Sequence, residues 1–192
     1  RLDDFLASFE GEARERITGE IVDASSWEQT ERAVQACIAH FGKMDVAFAN
    51  AGSSSRGDLL TGDPESWRDM INTNILGAAL LIKATLPALT ERRGHFLFTG
   101  SVSGRKAYPG NLYTATKWAI TGLAESLRQQ VVGSGVRVSI IAPGHVETPL
   151  WAEPPVAWMK PDDVARVVMW VLKQPEHVDV SEVIVRALGQ TM

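Results

Sequence analysis

Ser101, Tyr113 and Lys117 are the residues whose types and spacing best suit chemistry. Lys117 follows Tyr113 by four positions, so in a helix both side chains share one face. Ser101 follows the apolar run Phe96-Leu97-Phe98 and a Thr-Gly pair. That is where a strand ends and a loop residue can face a ligand held over a sheet. A tyrosine, with a pKa near 10, is a poor base at neutral pH. A neighbouring ammonium favours the phenolate. A fall of roughly 2–3 units, about 3–4 kcal/mol, would bring the phenol into range for proton exchange with an alcohol or carbonyl. A serine hydroxyl beside it can hydrogen-bond the same substrate oxygen. The trio therefore suits chemistry at C–OH or C=O. Alone the Tyr-x-x-x-Lys pair is weak, since it arises by chance in about one such chain in sixteen and otherwise marks a solvated helix face.

The elements that must position these residues alternate along the chain. Leu2, Phe5, Leu6 and Phe9 fall at helical spacing over residues 2–9. Ile17 to Val22 reads as a short strand ending at Asp23. Ser25-Ser26-Trp27-Glu28 has the form of a capping box, opening a helix that repeats Val34, Cys37, Ile38 and Phe41 and stops at Gly42. Cys37 lies on its apolar face and reads as core. Asp45 to Ala49 is a strand leading into Asn50-Ala51-Gly52, and residues 53–62 form a loop. Asp63-Pro64-Glu65 starts a long helix to about Thr90, with a kink expected before Pro87. Gly94 to Thr99 is the next strand, 111–132 the Tyr/Lys helix, and Val136 to Ile141 a buried strand broken by Pro143-Gly144. A loop covers 149–160, a helix runs from Pro161 to about Leu172, and Val180 to Arg186 is the last strand. Strands alternating with helices predict an α/β fold, a doubly wound parallel sheet with helices on both faces. No repeat or linker divides it, so 1–192 reads as one domain.

Composition excludes several classes. Hydrophobic residues make up 45% and charged residues 22%, ordinary for a globular chain. The net charge of −4 and the lack of any basic run beyond Arg92-Arg93 argue against nucleic acid or an anionic membrane as partner. No uninterrupted apolar stretch reaches the roughly 18 residues that suggest a membrane span. No signal peptide opens the chain, and a lone cysteine forms no internal disulfide, which suits a reducing cytoplasm. His40, His95 and His145 lack partners at metal spacing, so no metal site is expected.

Four motifs in order resemble the short-chain dehydrogenase/reductase family over nearly the whole chain. They are Asn50-Ala51-Gly52, Asn74 in Asn-Ile-Leu-Gly, Ser101 with Tyr113-x-x-x-Lys117, and Pro143-Gly144-His145-Val146-Glu147-Thr148. The resemblance implies a Rossmann-like fold and an oxidoreductase that interconverts an alcohol and a ketone or aldehyde, with NADP or NAD as cofactor. Tyr113 would be the acid/base, Ser101 would polarise the substrate oxygen, and Lys117 would lower the Tyr113 pKa and meet the nicotinamide ribose. Asn74 would serve a proton relay through a water held by a carbonyl that a helix irregularity frees. Asp23 would meet the adenine. Asn50, Ala51 and Gly52 would approach the cofactor closely, and Pro143, Gly144, Val146 and Thr148 would sit against the nicotinamide.

Two departures follow. The family's Gly-rich turn and second strand have no counterpart, so a strand-helix-strand unit is expected before Arg1, and the 192 residues alone should bind a dinucleotide poorly. Arg1 itself slightly favours NADP, as the remnant of a basic pair. The stretch Pro149 to Lys160 is short for a substrate lid, with Trp151 and Trp158 as candidate pocket walls. Ser53 to Arg56 read as solvated loop at the substrate mouth. Apolar positions on the two long helices (Leu80, Leu81, Ala84, Trp118, Ile120, Leu123, Leu127) suggest a homodimer or homotetramer. The alternatives are a catalytically silent nucleotide-binding or scaffold protein on the same fold, and an epimerase.

Overall fold

Four of the apolar runs become the strands of one parallel sheet: β1 (Val46–Ala49), β2 (His95–Thr99), β3 (Arg137–Pro143) and β4 (Glu182–Val185), in that spatial order. The register pairs Phe96 with Ala47 and with Val138, and Ile141 with Val183. The computed structural model describes residues 2–150 and 157–190. Among these, the helices are α1 (Leu2–Ala7), α2 (Gly11–Glu15), α3 (Trp27–Phe41), α4 (Pro64–Ile71), α5 (Gly77–Arg92), α6 (Leu112–Gln130) and α7 (Pro161–Leu172).

Both faces of the sheet are covered, which is why β2 and β3 read as unbroken apolar runs. Phe96, Phe98, Val138 and Ile140 point to one face and pack with Val34 of α3, Ala78 of α5 and Leu127 of α6. Leu97 and Ile141 point to the other and pack with Val171 of α7. All strands run the same way, so their carboxyl ends share one edge, where open α/β sheets bind ligands.

Local chemistry sets the helix starts. Asp63 accepts from the Glu65 and Ser66 N–H groups, with Pro64 at the first helical position. The cap of α3 is Ser26 rather than Ser25: its hydroxyl accepts from Gln29 N–H, and the Gln29 side chain reaches back to Asp23 N–H. The expected strand over Ile17–Val22 does not form. A strand exists only with a ladder partner, and among the described residues none pairs with it, leaving Ile21 81% exposed. The long helix is not broken at Pro87; its irregularity is a π-turn at Asn72–Leu76, where Gly77 N–H reaches Asn72 O, five residues back.

The continuous helix Pro64–Arg92 is long and apolar enough to cross a membrane by composition. Here Asn74, Ala78, Thr85 and Leu89 bury one side of it within the protein. At the opposite end of the sheet from the ligand edge, His95 is wholly buried, its Nε2 2.7 Å from Ser139 Oγ. Burial, with Arg137 beside it, holds its pKa down at about 4.

Candidate active site

Ser101, Tyr113 and Lys117 converge at the carboxyl ends of β1 and β2. Ser101 caps a 3-10 turn, Val102–Gly104, and its hydroxyl accepts from Ser103 N–H at 3.1 Å. The same hydroxyl stands near enough to Tyr113 to favour the phenolate. Asn111 caps α6 by accepting from Thr114 N–H, which places Tyr113 in the first turn and Lys117 one turn on.

The Lys117 ammonium lies 5.6 Å from the Tyr113 ring centroid and donates to the Thr99 carbonyl at 2.9 Å. Burial lowers the Lys117 pKa to about 8. Burial of the phenol pushes the Tyr113 pKa above its ordinary value, and the nearby Ser101 hydroxyl pulls it back. Lys117 is only 6% exposed, so its charge sits in a site that excludes most water.

Asn74 sits in the π-turn and is buried. Its amide oxygen accepts from Ser53 N–H at 2.8 Å, and its NH2 donates to Ser53 O and to Thr116 Oγ at 2.9 and 3.0 Å. One side chain thus ties the turn after β1 to α6. Ser53 is consequently part of the site, not a solvated loop residue. A Cβ on Gly52 would lie 3.4 Å from Asn74 Oδ1 and 3.8 Å from Lys117 Nζ, so this turn passes close over both. Asn50 accepts from Thr99 Oγ at 2.7 Å, and Ala51 follows it on the exposed turn.

A cavity of about 340 Å³ opens behind these residues. Asn50, Asn74, Thr99 and Lys117 form its polar end; Val34 and Leu81 are among its apolar walls. Val22 and Ala24 also line it, but Asp23 between them spends Oδ1 on Ser25 N–H and Ser25 Oγ. Those bonds lower the Asp23 pKa, so the group meant to meet an adenine is a carboxylate already engaged in a local turn. After β3, Pro143 closes the strand and Gly144 N–H donates to Val185 O. His145 N–H donates to Gln190 Oε1 at 3.0 Å. Val146 bridges to Met159, beside half-exposed Trp158, and Thr148 follows at intermediate burial. Trp151 and Arg1 lie outside the described residues.

Sequence reasoning missed Thr99, Thr116 and Gln190. Thr99 had a signal, since it stands at the strand end two residues before Ser101. Gln190 had none, because its partner lies 45 residues away.

A family model described as short chain dehydrogenase matches residues 1–155. An uncharacterized oxidoreductase of Staphylococcus saprophyticus is 35% identical over 173 residues, covering 86% of this chain and 73% of that protein. Another, from Listeria monocytogenes, is 34% identical over 185 residues, covering 88% and 75%. Among solved structures, an alcohol dehydrogenase from the archaeon Thermococcus sibiricus, complexed with 5-hydroxy-NADP, superposes with a TM-score of 0.82 at 31% identity over 89% of this chain and 74% of that one. Serine dehydrogenase from Escherichia coli superposes with 0.86 at 29% identity over 98% and 84%. The ordered motifs, the strand-edge site and these relatives agree: the chain belongs to the short-chain dehydrogenase family.

Proposed function

We propose that this oxidoreductase interconverts an alcohol and a ketone or aldehyde, using NADP or NAD. The observation that carries the reading is the convergence of Ser101 and Tyr113 beside a buried Lys117, which lines the cavity. In reduction, Tyr113 gives its phenolic proton to the carbonyl oxygen, and in oxidation it takes that proton back. Ser101 donates a hydrogen bond to the same oxygen, where negative charge develops. The bound nicotinamide supplies or accepts the hydride.

The residues present fit the nicotinamide half of such a cofactor. An ammonium has three donors, and Thr99 O takes one from Lys117, leaving two for ribose hydroxyls. The Gly52 turn passes near that ammonium without a side chain. Asn50, Ala51, Pro143, Gly144, Val146 and Thr148 flank the same strand edge and would line the cofactor. Asp23 would approach the adenine end only by sharing its carboxylate with Ser25. Asn74 holds the turn through Ser53, so a relay water would rest on a π-turn carbonyl rather than on its amide. Two neighbours that are each 31% identical, the Thermococcus sibiricus alcohol dehydrogenase with 5-hydroxy-NADP and a metagenomic short-chain oxidoreductase with NADP, favour NADP.

The direct test is oxidation of NADPH by the full-length protein with a panel of aliphatic and aromatic aldehydes and ketones, followed at 340 nm. Turnover of at least one carbonyl is expected. NADPH binding with no turnover of any of them would remove the catalytic reading and leave a silent nucleotide-binding protein.

A homodimer or homotetramer is proposed with it, on a smaller surface than the sequence suggested. Ile120 and Leu127 are spent on the core, and Leu81, Ala84 and Leu123 pack against it. What remains is Ile71, Leu76 and Trp118, each at least 40% exposed on α4 to α6. Sedimentation showing only monomers at micromolar concentration would exclude that pairing.

A further inference from the structure

The Ser101 turn is held from an unexpected side. Arg105 ends the 3-10 turn that Ser101 begins. Its Nε and Nη2 donate to one oxygen of Glu182 on β4, at 3.1 and 2.8 Å, and its Nη1 donates to the Gly104 carbonyl at 3.1 Å. These three contacts use the guanidinium plane in two directions and fix its angle. From the opposite side the turn is pressed onto α6. A Cβ on Gly104 would lie 2.8 Å from the Lys117 carbonyl, and Thr121 Oγ reaches Gly104 O at 3.4 Å.

Stability alone is a poor reason for this pair. The side chains are only 30% and 25% exposed, so both charges lose much of their hydration. Glu182 Oε1 is buried and has no hydrogen-bond partner, which adds a further cost. An apolar pair of similar volume would tie β4 to the turn at least as well. What an apolar pair lacks is direction. The fork sets the tilt of Gly104, and with it the Ser103 N–H that orients the Ser101 hydroxyl.

We propose that Arg105 and Glu182 are positioning residues: their ion pair clamps the Val102–Gly104 turn to β4 and so fixes the Ser101 hydroxyl against Tyr113. The inference rests on the oxidoreductase reading for its kinetic consequence, but not for its geometry. It assigns a functional task to the edge strand farthest from β1.

Three variants of the full-length protein test it: Arg105→Met, Glu182→Gln and the double change Arg105→Met with Glu182→Leu. Each single change leaves a half-buried partner unpaired and should lower both the melting temperature and kcat. The double change removes both charges, so the melting temperature should return close to that of the parent. Its kcat for carbonyl reduction should stay ~10- to 100-fold low, with KM for NADPH within about twofold, because the hydroxyl is no longer aimed. Recovery of kcat together with melting temperature would reduce the pair to a structural tie and overturn the proposal.

A second measurement needs no substrate. The phenolate absorbance near 295 nm follows tyrosine ionisation, and the Tyr113→Phe variant identifies the Tyr113 step. In the double variant the Tyr113 titration should move upward by ~0.5 unit or more as the Ser101 hydroxyl drifts from the phenol. An unmoved titration would overturn the clamp even if no carbonyl were ever turned over. A moved titration in a parent without turnover would uphold the clamp and sink the oxidoreductase reading instead.

Discussion

Replacing Tyr113 with Phe is expected to slow carbonyl reduction by roughly 10²- to 10⁴-fold, with KM for NADPH held within about twofold. The change removes one oxygen and leaves the ring. The packing of α6 against the turn after β1 is made by Asn74 and Thr116, so the fold should not respond. The pH dependence carries the second half of this expectation. Burial raises the phenol pKa above 10, so Tyr113 is protonated at neutral pH and ready to give a proton. Reduction should be nearly flat through neutrality. Alcohol oxidation needs the phenolate and should climb by up to about tenfold per pH unit on the alkaline side. Ser101→Ala removes the group that favours the phenolate, so the oxidation limb should shift to higher pH. Steady-state rates in both directions across pH check all of this, and a Phe variant that retains parent turnover would take Tyr113 out of the mechanism.

How far this site could be read from the chain depends on the range of the interaction concerned. Tyr113 and Lys117 share a helix, and Ser101 lies on the strand end just before it, so local spacing is enough to set the trio at one edge of the sheet. Asn74 was readable as an oddity, a poor helix residue in a long apolar helix. Its real work, bonding Ser53 and Thr116, spans 21 and 42 residues and leaves no periodic trace. The direction of Lys117 was also hidden. Sequence places an amine near a phenol, but only packing shows that the Thr99 carbonyl captures it. Arg105 and Glu182 are 77 residues apart and look like two ordinary surface charges until β4 is placed beside β3. In the fold, the strands buried on both faces declared themselves as apolar runs, whereas Ile17–Val22 had the composition of a strand and no partner to make it one. The Ser25 to Ser26 shift of the α3 cap is a one-residue choice between neighbours of the same type, decided by which hydroxyl reaches Gln29 N–H.

Lys117 should make the protein more stable as the solution becomes more alkaline. Its pKa is 10.5 when free and about 8 in the folded chain, because burial penalises the ammonium. Below pH 8 both states hold the proton, and the folded state carries the whole penalty, about 3 kcal/mol at 1.36 kcal/mol per unit. Between pH 8 and 10 the unfolded chain still binds a proton that the folded chain has released, so stability rises with pH. Tyr113 acts in the opposite sense: with its folded pKa raised above 10, it lowers stability once the unfolded phenol ionises. The expected curve climbs by about 2–3 kcal/mol from pH 8 and turns over above pH 10. On the acid side, His95 is held neutral with a pKa of about 4 against 6.5 unfolded, so stability should fall by about 3 kcal/mol as pH drops across that window. Urea denaturation at a series of pH values reads both slopes. Lys117→Met should flatten the alkaline climb and His95→Gln the acid fall, each without touching the other. A Lys117→Met curve that keeps the alkaline climb would mean that the ammonium is hydrated in the folded protein. The site would then lack the dry, charged wall that the phenol chemistry is built against.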